Sequence, residues 1–528
     1  MSEKAEKTPF NADAIRRRRR GFLGIDREMA IKAFFGGNAL MAIVVLGLIT
    51  LFLFKEGVEF FPQNRKSMQL YRASGQEMVG LVKSEVDTFD KLQRQLDAVQ
   101  TAVLTALYDQ GLTFEEVNAA TEPLRDFVTT ARGSIKPLKI VIKKGVRLTM
   151  EAKDKVIVHE TRRNTAGADL SALMTAEQAD VFLTETRRQV VAMRPDIREA
   201  NRAFKVRLAE TVDAAPTLDA AKDQAALLAY VQEAHAFLIK VGELERKFDD
   251  YDSEKRVSFF ESVRSFLFGT QWITNSSWQD FYGVWPLLSG SLLVTLVALS
   301  LAVPLGIFAA IYVNQIATPR EQGFIKPYVE FISAIPSVVI GFFGIAVFGE
   351  SLRLLTEQSW LAWVPFFPIS ERLNAYTAGA LLALMAVPTI FTLAEDAINN
   401  VPKAFSEASI ATGATRWQTI WRITVPTALS GIISAVLLGF GRVIGETMVV
   451  LLCAGNRIAV PDITKGVGTV FEPVHTMTGI IAQEMGEVVP GSIHYRALFM
   501  VGILLFFFSL LVNYLAQKIV RKYRIAST

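Results

Sequence analysis

Cysteine is almost absent from this 528-residue chain. A single residue, Cys453, sits in an apolar run, which excludes an intramolecular disulfide and any cysteine-based metal cage. Histidine is scarce as well. His159, His235, His475 and His494 are scattered through polar connections and no HExxH helix occurs, so each reads as a solvated or packing residue rather than a metal ligand. No GxxxxGK[ST] loop is present either: the nearest string, at 486–492, lacks the lysine, and the chain should therefore not hydrolyse ATP. Neither sign of charge dominates. The formal net charge is +4, and the basic residues gather at the ends of apolar segments. That distribution argues against nucleic acid as a partner and for membrane topology in contact with lipid.

What the chain does have is apolar length. Hydrophobic residues make up 51% of it and charged ones 20%, a mixture expected of membrane spans joined to a water-facing domain. Crossing a bilayer takes about 20 apolar residues in a helix, and six stretches meet that need: 33–54, 284–313, 328–349, 375–394, 428–452 and 497–517. The first is too long for the core of a cleaved signal peptide and reads as a retained anchor. Basic residues precede it at 16–20 and follow the last span at Lys518, Arg521, Lys522 and Arg524. Short basic flanks stay in the cytoplasm, so both termini are placed inside, in agreement with six crossings.

This topology divides the chain into a basic cytoplasmic segment 1–32, a first transmembrane helix 33–55, an external insert 63–255, a transmembrane domain 284–517 and a basic cytoplasmic tail 518–528. The lysines and arginines of the insert do not oppose its external placement, because long domains translocate largely regardless of charge. Val82, Val86, Phe89, Leu92, Leu96, Val99 and Val103 recur at steps of three or four, as do Leu227, Val231, Ala234, Leu238, Val241, Leu244 and Phe248. Such periodicity predicts long helices. Between them, 138–142, 146–150 and 155–159 alternate or are β-branched around Gly145, the pattern of a small sheet. By the same topology, residues 350–374 and 455–495 are external connections, with Trp360, Trp363, Phe366 and Phe367 as an interfacial belt.

One polar connection stands out, residues 397–427 between the fourth and fifth spans. Within it EASIATGATRWQTIWRITVP runs over 407–426. Residues 407–412 favour a short helix, Gly413 permits a turn that a side chain would obstruct, and Trp417, Ile420, Trp421 and Ile423 give the second half an apolar face before Pro426 opens the next span. Two short helices meeting at a glycine suit docking into a groove on a cytoplasmic partner.

The order Glu407, Ala408, Ser409, Gly413, Ile423 and Pro426 resembles the EAA loop of permease subunits of ABC importers, with Ser409 in place of the second alanine and Val425 in place of leucine. More narrowly, AIPSVVIGF, FGIAVFG, MAVPTIF, EASIATGATRWQTI, GRVIGETMVVLLCAGN and ALFMVGILLF are together similar to the phosphate permeases of the Pst system, and the residues after Glu446 and Thr447 to its C-type subunit, PstC. The resemblance implies an all-α membrane protein of the MetI-like permease type, with a mainly helical periplasmic domain inserted between helices 1 and 2. It implies a location in the bacterial inner membrane. It also implies partners: a homologous A-type permease, two ATPase subunits that carry ATP and Mg, and an external phosphate-binding protein, with no cofactor on this chain itself. The large insert departs from the short form of the family.

An anion path needs cationic or hydrogen-bonding groups at membrane depth. Arg442 and Glu446 lie four apart in the fifth span and would share a helix face. A guanidinium binds phosphate through paired hydrogen bonds, and Glu446 could hold the arginine or repel the departing anion. Thr447, Ser337 beside Pro336, and Thr389 after Pro388 are the remaining path or gate candidates, since each proline frees a carbonyl near hydroxyls. Against this stands backbone repair at the kinks, which would also occupy Ser333, Thr392, Ser291 and Thr295. Two other functions remain open: a permease for another oxyanion such as sulfate or molybdate, or a membrane-anchored sensor or scaffold that acts through the insert.

Overall fold

The computed structural model describes residues 27–163, 174–252, 254–361, 363–364 and 366–523. The basic run at 16–20 and the tail beyond 523 lie outside them. Two compact units are formed: one from the residues up to Phe60, Phe266–Trp272 and Tyr282 onward, the other from Phe61–Ser265 and Ile273–Phe281.

The chain is helical almost throughout. It begins with α1 (Arg27–Val58), then α2 (Phe60–Ala73), α3 (Gln76–Asp109), α4 (Phe114–Ser134), α5 (Lys136–Arg163), α6 (Ala176–Ala192), α7 (Arg194–Asp213), α8 (Ala221–Asp249) and α9 (Phe259–Phe268). Two dipeptide strands follow, β1 (Trp272–Ile273) and β2 (Phe281–Tyr282). Next come α10 (Trp285–Gln315), α11 (Pro319–Ser333), α12 (Ser337–Phe343), α13 (Gly349–Thr356), α14 (Ala375–Asn399), α15 (Lys403–Ala411), α16 (Arg416–Thr419), α17 (Val425–Ile444), α18 (Met448–Cys453), α19 (Met477–Glu484) and α20 (Ile493–Tyr523).

The insert unit is a bundle whose core comes from the two periodic series. Val82, Val86, Phe89, Leu92, Leu96 and Val103 on α3 are buried, as are Leu227, Ala234, Val241 and Phe248 on α8; the Leu244 side chain lies outside the described residues. Phe89 meets Phe204 of α7 edge-on at 5.2 Å, and Phe237 packs beside both. Each such ring contributes about 1.5–3 kcal/mol by leaving water. Capping boxes start α4 at Thr113 with Glu116 and α6 at Thr175 with Gln178, satisfying N–H groups that lack intrahelical partners. The sheet expected within 138–159 does not form. That segment belongs to α5, where Leu138, Ile142, Thr149, Ala152 and Val156 are buried at helical spacing. A helix of 28 residues carries one continuous buried stripe, so tertiary packing overrides the local β-branched preference.

Among the described residues, six helical stretches are long and apolar enough to cross a membrane, the first of them, Ile31–Ala73, running on into the insert unit. Two of the expected spans are corrected. The third begins at Ser337 and ends at Thr356, rather than at 328–349, because Pro336 breaks the helix. Upstream, α11 is a separate amphipathic helix with no buried residue. Pro336 has extended backbone at φ −60° and ψ 138°, and lacking an N–H it cannot continue the helix it follows. The fifth span is interrupted: α17 ends at Ile444, residues 445–447 leave the helix, and α18 resumes at Met448. Around α14 the core is built of small residues, among them Ala298, Ala302, Ala378, Ala383 and Ala386, which allow α10 and α17 to lie against it.

Candidate functional site: a membrane-depth arginine and an exposed loop

Helix α17 presents two unlike sides. Ile432, Ala435, Gly439 and Val443 are buried, whereas Leu438, Gly441, Arg442 and Gly445 are exposed. The exposed set recurs at steps of three, four and seven, the spacing of one stripe along a helix. Arg442 thus lies on an uncovered stripe of a span. Its Nη1 donates to Thr389 Oγ1 of α14 at 2.7 Å. Close approach makes this bond possible: at Gly439 a Cβ would stand 2.6 Å from Ile390 Cγ1, so a side chain there must displace Ile390 or crowd α17 against the helix that carries Thr389.

Arg442 and Glu446 do not share a helix face, contrary to expectation. The break after Ile444 carries Glu446 out of register, and its carboxylate turns to the next segment, where Oε1 accepts the Met448 N–H at 3.1 Å. Among the described residues no carboxylate pairs with Arg442. Thr447 stands in the break, its hydroxyl 3.4 Å from the Gly445 carbonyl. Ser337 opens α12 and is half-buried, and no contact joins it to Arg442. The hydroxyls divide instructively. Ser291, Thr295 and Thr392 bond to carbonyls four residues back, or three back in the case of Ser333, which is back-bonding to their own helix rather than repair of the carbonyl that Pro388 frees, four residues before it. Thr389 alone of the proline-associated candidates receives the guanidinium.

Sequence reasoning missed two features. Glu395 of α14 accepts from Asn314 of α10 and Lys326 of α11, each at 3.1 Å, a second charged cluster in which the Glu395 side chain is only 12% exposed. The 455–495 connection, expected as an external loop, contains a buried run: Val474, His475, Thr476, Met477, Thr478 and Ile480. A structureless loop of about 40 residues is uncommon in a compact unit, and the apolar content of VHTMTGII was the available signal. His475 is a packing residue whose Nε2 lies 3.0 Å from Gln483 Oε1. Of the expected aromatic belt, Trp360 and Trp363 are exposed, while Phe366 and Phe367 pack on Phe471.

The polar connection folds into α15, a turn and α16. Gly413 has φ +88° with open space around it, so its requirement is conformational rather than steric. Ser409 Oγ lies 2.9 Å from the Thr419 hydroxyl, tying the two short helices together and giving the serine a structural use. From Thr419 the chain passes through a π-turn, Ile420–Thr424, directly into α17, whose first turn contains Pro426. Glu407 and Ala408 are exposed and Ile423 is half-buried. Phe405, Ile410, Trp417 and Trp421 leave an apolar surface uncovered around the turn, with the two tryptophans edge to face at 5.7 Å.

Residues 302–525 match the family model described as binding-protein-dependent transport system inner membrane component. A probable ABC transporter permease, YqgH of Bacillus subtilis (strain 168), is 34% identical over 261 residues, covering 47% of this chain and 78% of that protein. The phosphate transport system permease protein PstC 1 of Mycobacterium bovis is 30% identical over 253 residues, 46% of this chain and 73% of its own. PstC of Pasteurella multocida (strain Pm70) is 27% identical over 275 residues, with 50% and 83% covered.

Proposed function

The chain belongs to the inner-membrane permease components of binding-protein-dependent ABC transporters, in their PstC-type branch, and from that premise we propose that it forms one half of a phosphate path. It is a multi-pass membrane transport component. A homologous A-type permease covers the exposed stripe of α17, so that Arg442 faces an aqueous passage between the two subunits. The observation that carries this reading is the uncovered guanidinium, held by a threonine and, among the described residues, without a carboxylate partner. Charge exposed to acyl chains is costly, and an arginine with free donors is suited to an oxyanion.

In this reading the 397–427 loop receives one of two ATPase subunits, which supply ATP and Mg. The support is its exposed apolar surface around Gly413. Because α16, the π-turn and α17 are continuous in sequence, force on the loop passes along one element towards Arg442. Alternating access follows if closure of the ATPases swings α17. The insert lies in the periplasm, both termini lie in the cytoplasm, and an external binding protein delivers the substrate.

The test is phosphate uptake into proteoliposomes holding the full complex. Arg442→Ala should lower uptake at least about a hundredfold, the scale of losing a charged interaction of about 3 kcal/mol, with assembly unchanged. Competition by sulfate and molybdate in the same assay reads the oxyanion preference. Unaltered uptake by Arg442→Ala would remove Arg442 from the path.

A further inference from the structure

Hydroxyl groups beyond the Arg442 and Thr389 pair converge on the break in the fifth span. Thr478 Oγ1 donates to the Glu446 backbone carbonyl at 2.9 Å. Ser291 Oγ of α10 accepts the Met477 N–H at 2.9 Å. Thr476 Oγ1 accepts the Gly479 N–H at 3.1 Å, starting α19, and stands 3.3 Å from the Thr478 hydroxyl. Ser291, Thr476 and Thr478 are all buried. With Thr295 and Glu446 they surround a void of only about 10 Å³. The approach of this segment to α10 is fixed at Gly290, where a Cβ would meet the His475 carbonyl oxygen at 2.1 Å.

The break explains why such a knot is needed. At the break the Thr447 carbonyl already accepts the Leu451 N–H of α18, but the Glu446 carbonyl lies before that helix starts, and in a low-dielectric interior an unpaired carbonyl is unfavourable. Thr478 supplies the donor for Glu446. Glu446 is then held from two directions, by Thr478 at its carbonyl and by the Met448 N–H at its carboxylate. Arg442 lies one helical turn before it on α17. Rotation about the break would move the Glu446 carboxylate and the end of α17 together, and α19 opposes that rotation through a bond to the break and another to α10.

We propose that Thr478 is a positioning residue for translocation, whose bond to the Glu446 carbonyl holds the break in the fifth span so that Arg442 and Glu446 address the passing anion. This role rests on the reading of Arg442 as a path residue. Serine should replace Thr478, because it keeps the donor, whereas the isosteric valine should not.

The experiment compares the unmodified complex with Thr478→Val, Thr478→Ser and Ser291→Ala in proteoliposomes, reading phosphate uptake, ATP hydrolysis and the yield of assembled complex. Thr478→Val should lower the maximal uptake rate about tenfold, the scale of one buried hydrogen bond to a group that then stays unpaired. The KM for loaded binding protein should not change, and ATP turned over per phosphate carried should rise. Thr478→Ser should restore the rate to within about twofold. Ser291→Ala, which loosens α19 without touching Glu446, should cost less than Thr478→Val. Unaltered kinetics in Thr478→Val, a serine variant as impaired as the valine one, or a loss explained wholly by lower yield would overturn the positioning role while leaving the path reading intact. No phosphate uptake by the unmodified complex would overturn the path reading and the role that rests on it.

Discussion

The insert and the membrane unit are both helical, yet they are packed by opposite means. In the insert the core rests on large, fully buried side chains, among them Phe89, Phe204, Leu96, Leu124, Leu138, Leu208 and Leu227. In the membrane unit alanines recur through the core, and glycine lets α17 lie against α14. The difference follows from the solvent each helix would otherwise meet. In water the removal of apolar area drives association, so helices gain from big side chains turned inward. In lipid, outward apolar groups cost nothing, and close backbone approach with hydroxyl bonding holds helices together. Large residues such as Leu296, Leu305 and Phe308 accordingly remain on the outside of the membrane unit.

Removing bulk should hurt the insert most. Phe204→Ala deletes a fully buried ring in contact with Phe89 and Phe237 and should cost about 3–5 kcal/mol. Hydrogen exchange across α3, α7 and α8 in the full-length protein measures it; protection that stays at the wild-type level would break the contrast between the units.

A second effect belongs to the insert alone. Burial pushes the Glu85 carboxyl from 4.5 up to about 8, repulsion from Glu245 adds to the rise, and Lys205 works against it. The folded state therefore holds a proton that the unfolded chain loses near pH 4.5. Stability contributed by the protonated acid is fully present below pH 4.5, falls as pH rises, and is gone above about pH 8. Unfolding of the insert followed from pH 5 to pH 9 should show this decline, and Glu85→Gln should flatten it.

The converse change belongs to the membrane unit, where adding bulk should do the damage. Gly439→Leu would collide with Ile390 and overpack the contact between α14 and α17, at a cost of about 1–3 kcal/mol. Its sharper consequence is functional, since the displaced α17 loses the Thr389 bond to Arg442. Uptake should fall while hydrogen exchange in the insert stays unchanged; a variant with normal uptake would show that the pair is dispensable.

The same contrast explains what could be read without coordinates. The insert's long helices were legible from the spacing of Val82 to Val103 and of Leu227 to Phe248, because water enforces periodicity. Its short β-like run was misleading, since 138–159 alternates locally while the stripe from Leu138 to Val156 is helical. In the membrane unit, apolar length located spans but not their ends, because hydropathy is blind to the breaks at Pro336 and at residues 445–447. Gly413 was legible as a turn from sequence, and its positive φ supplies the reason. Arg442 stood out as a charge in an apolar run, but its partner did not: spacing pointed to Glu446, and only the break in α17 together with the close passage at Gly439 brings in Thr389. The Thr478 knot joins residues almost 200 positions apart on the chain, which no local pattern encodes.

The central claim is that Arg442 borders an aqueous anion path, and the scarcity of cysteine makes it directly testable. Cys453 is buried, so Gly441→Cys in a Cys453→Ser background places one thiol on the exposed stripe of α17, where a Cβ meets nothing within 4 Å, beside an intact Arg442. In the assembled complex that thiol should react with a negatively charged methanethiosulfonate reagent, and loaded binding protein with ATP should slow the reaction. A thiol that stays unreactive, or one whose rate ignores phosphate, would contradict the account.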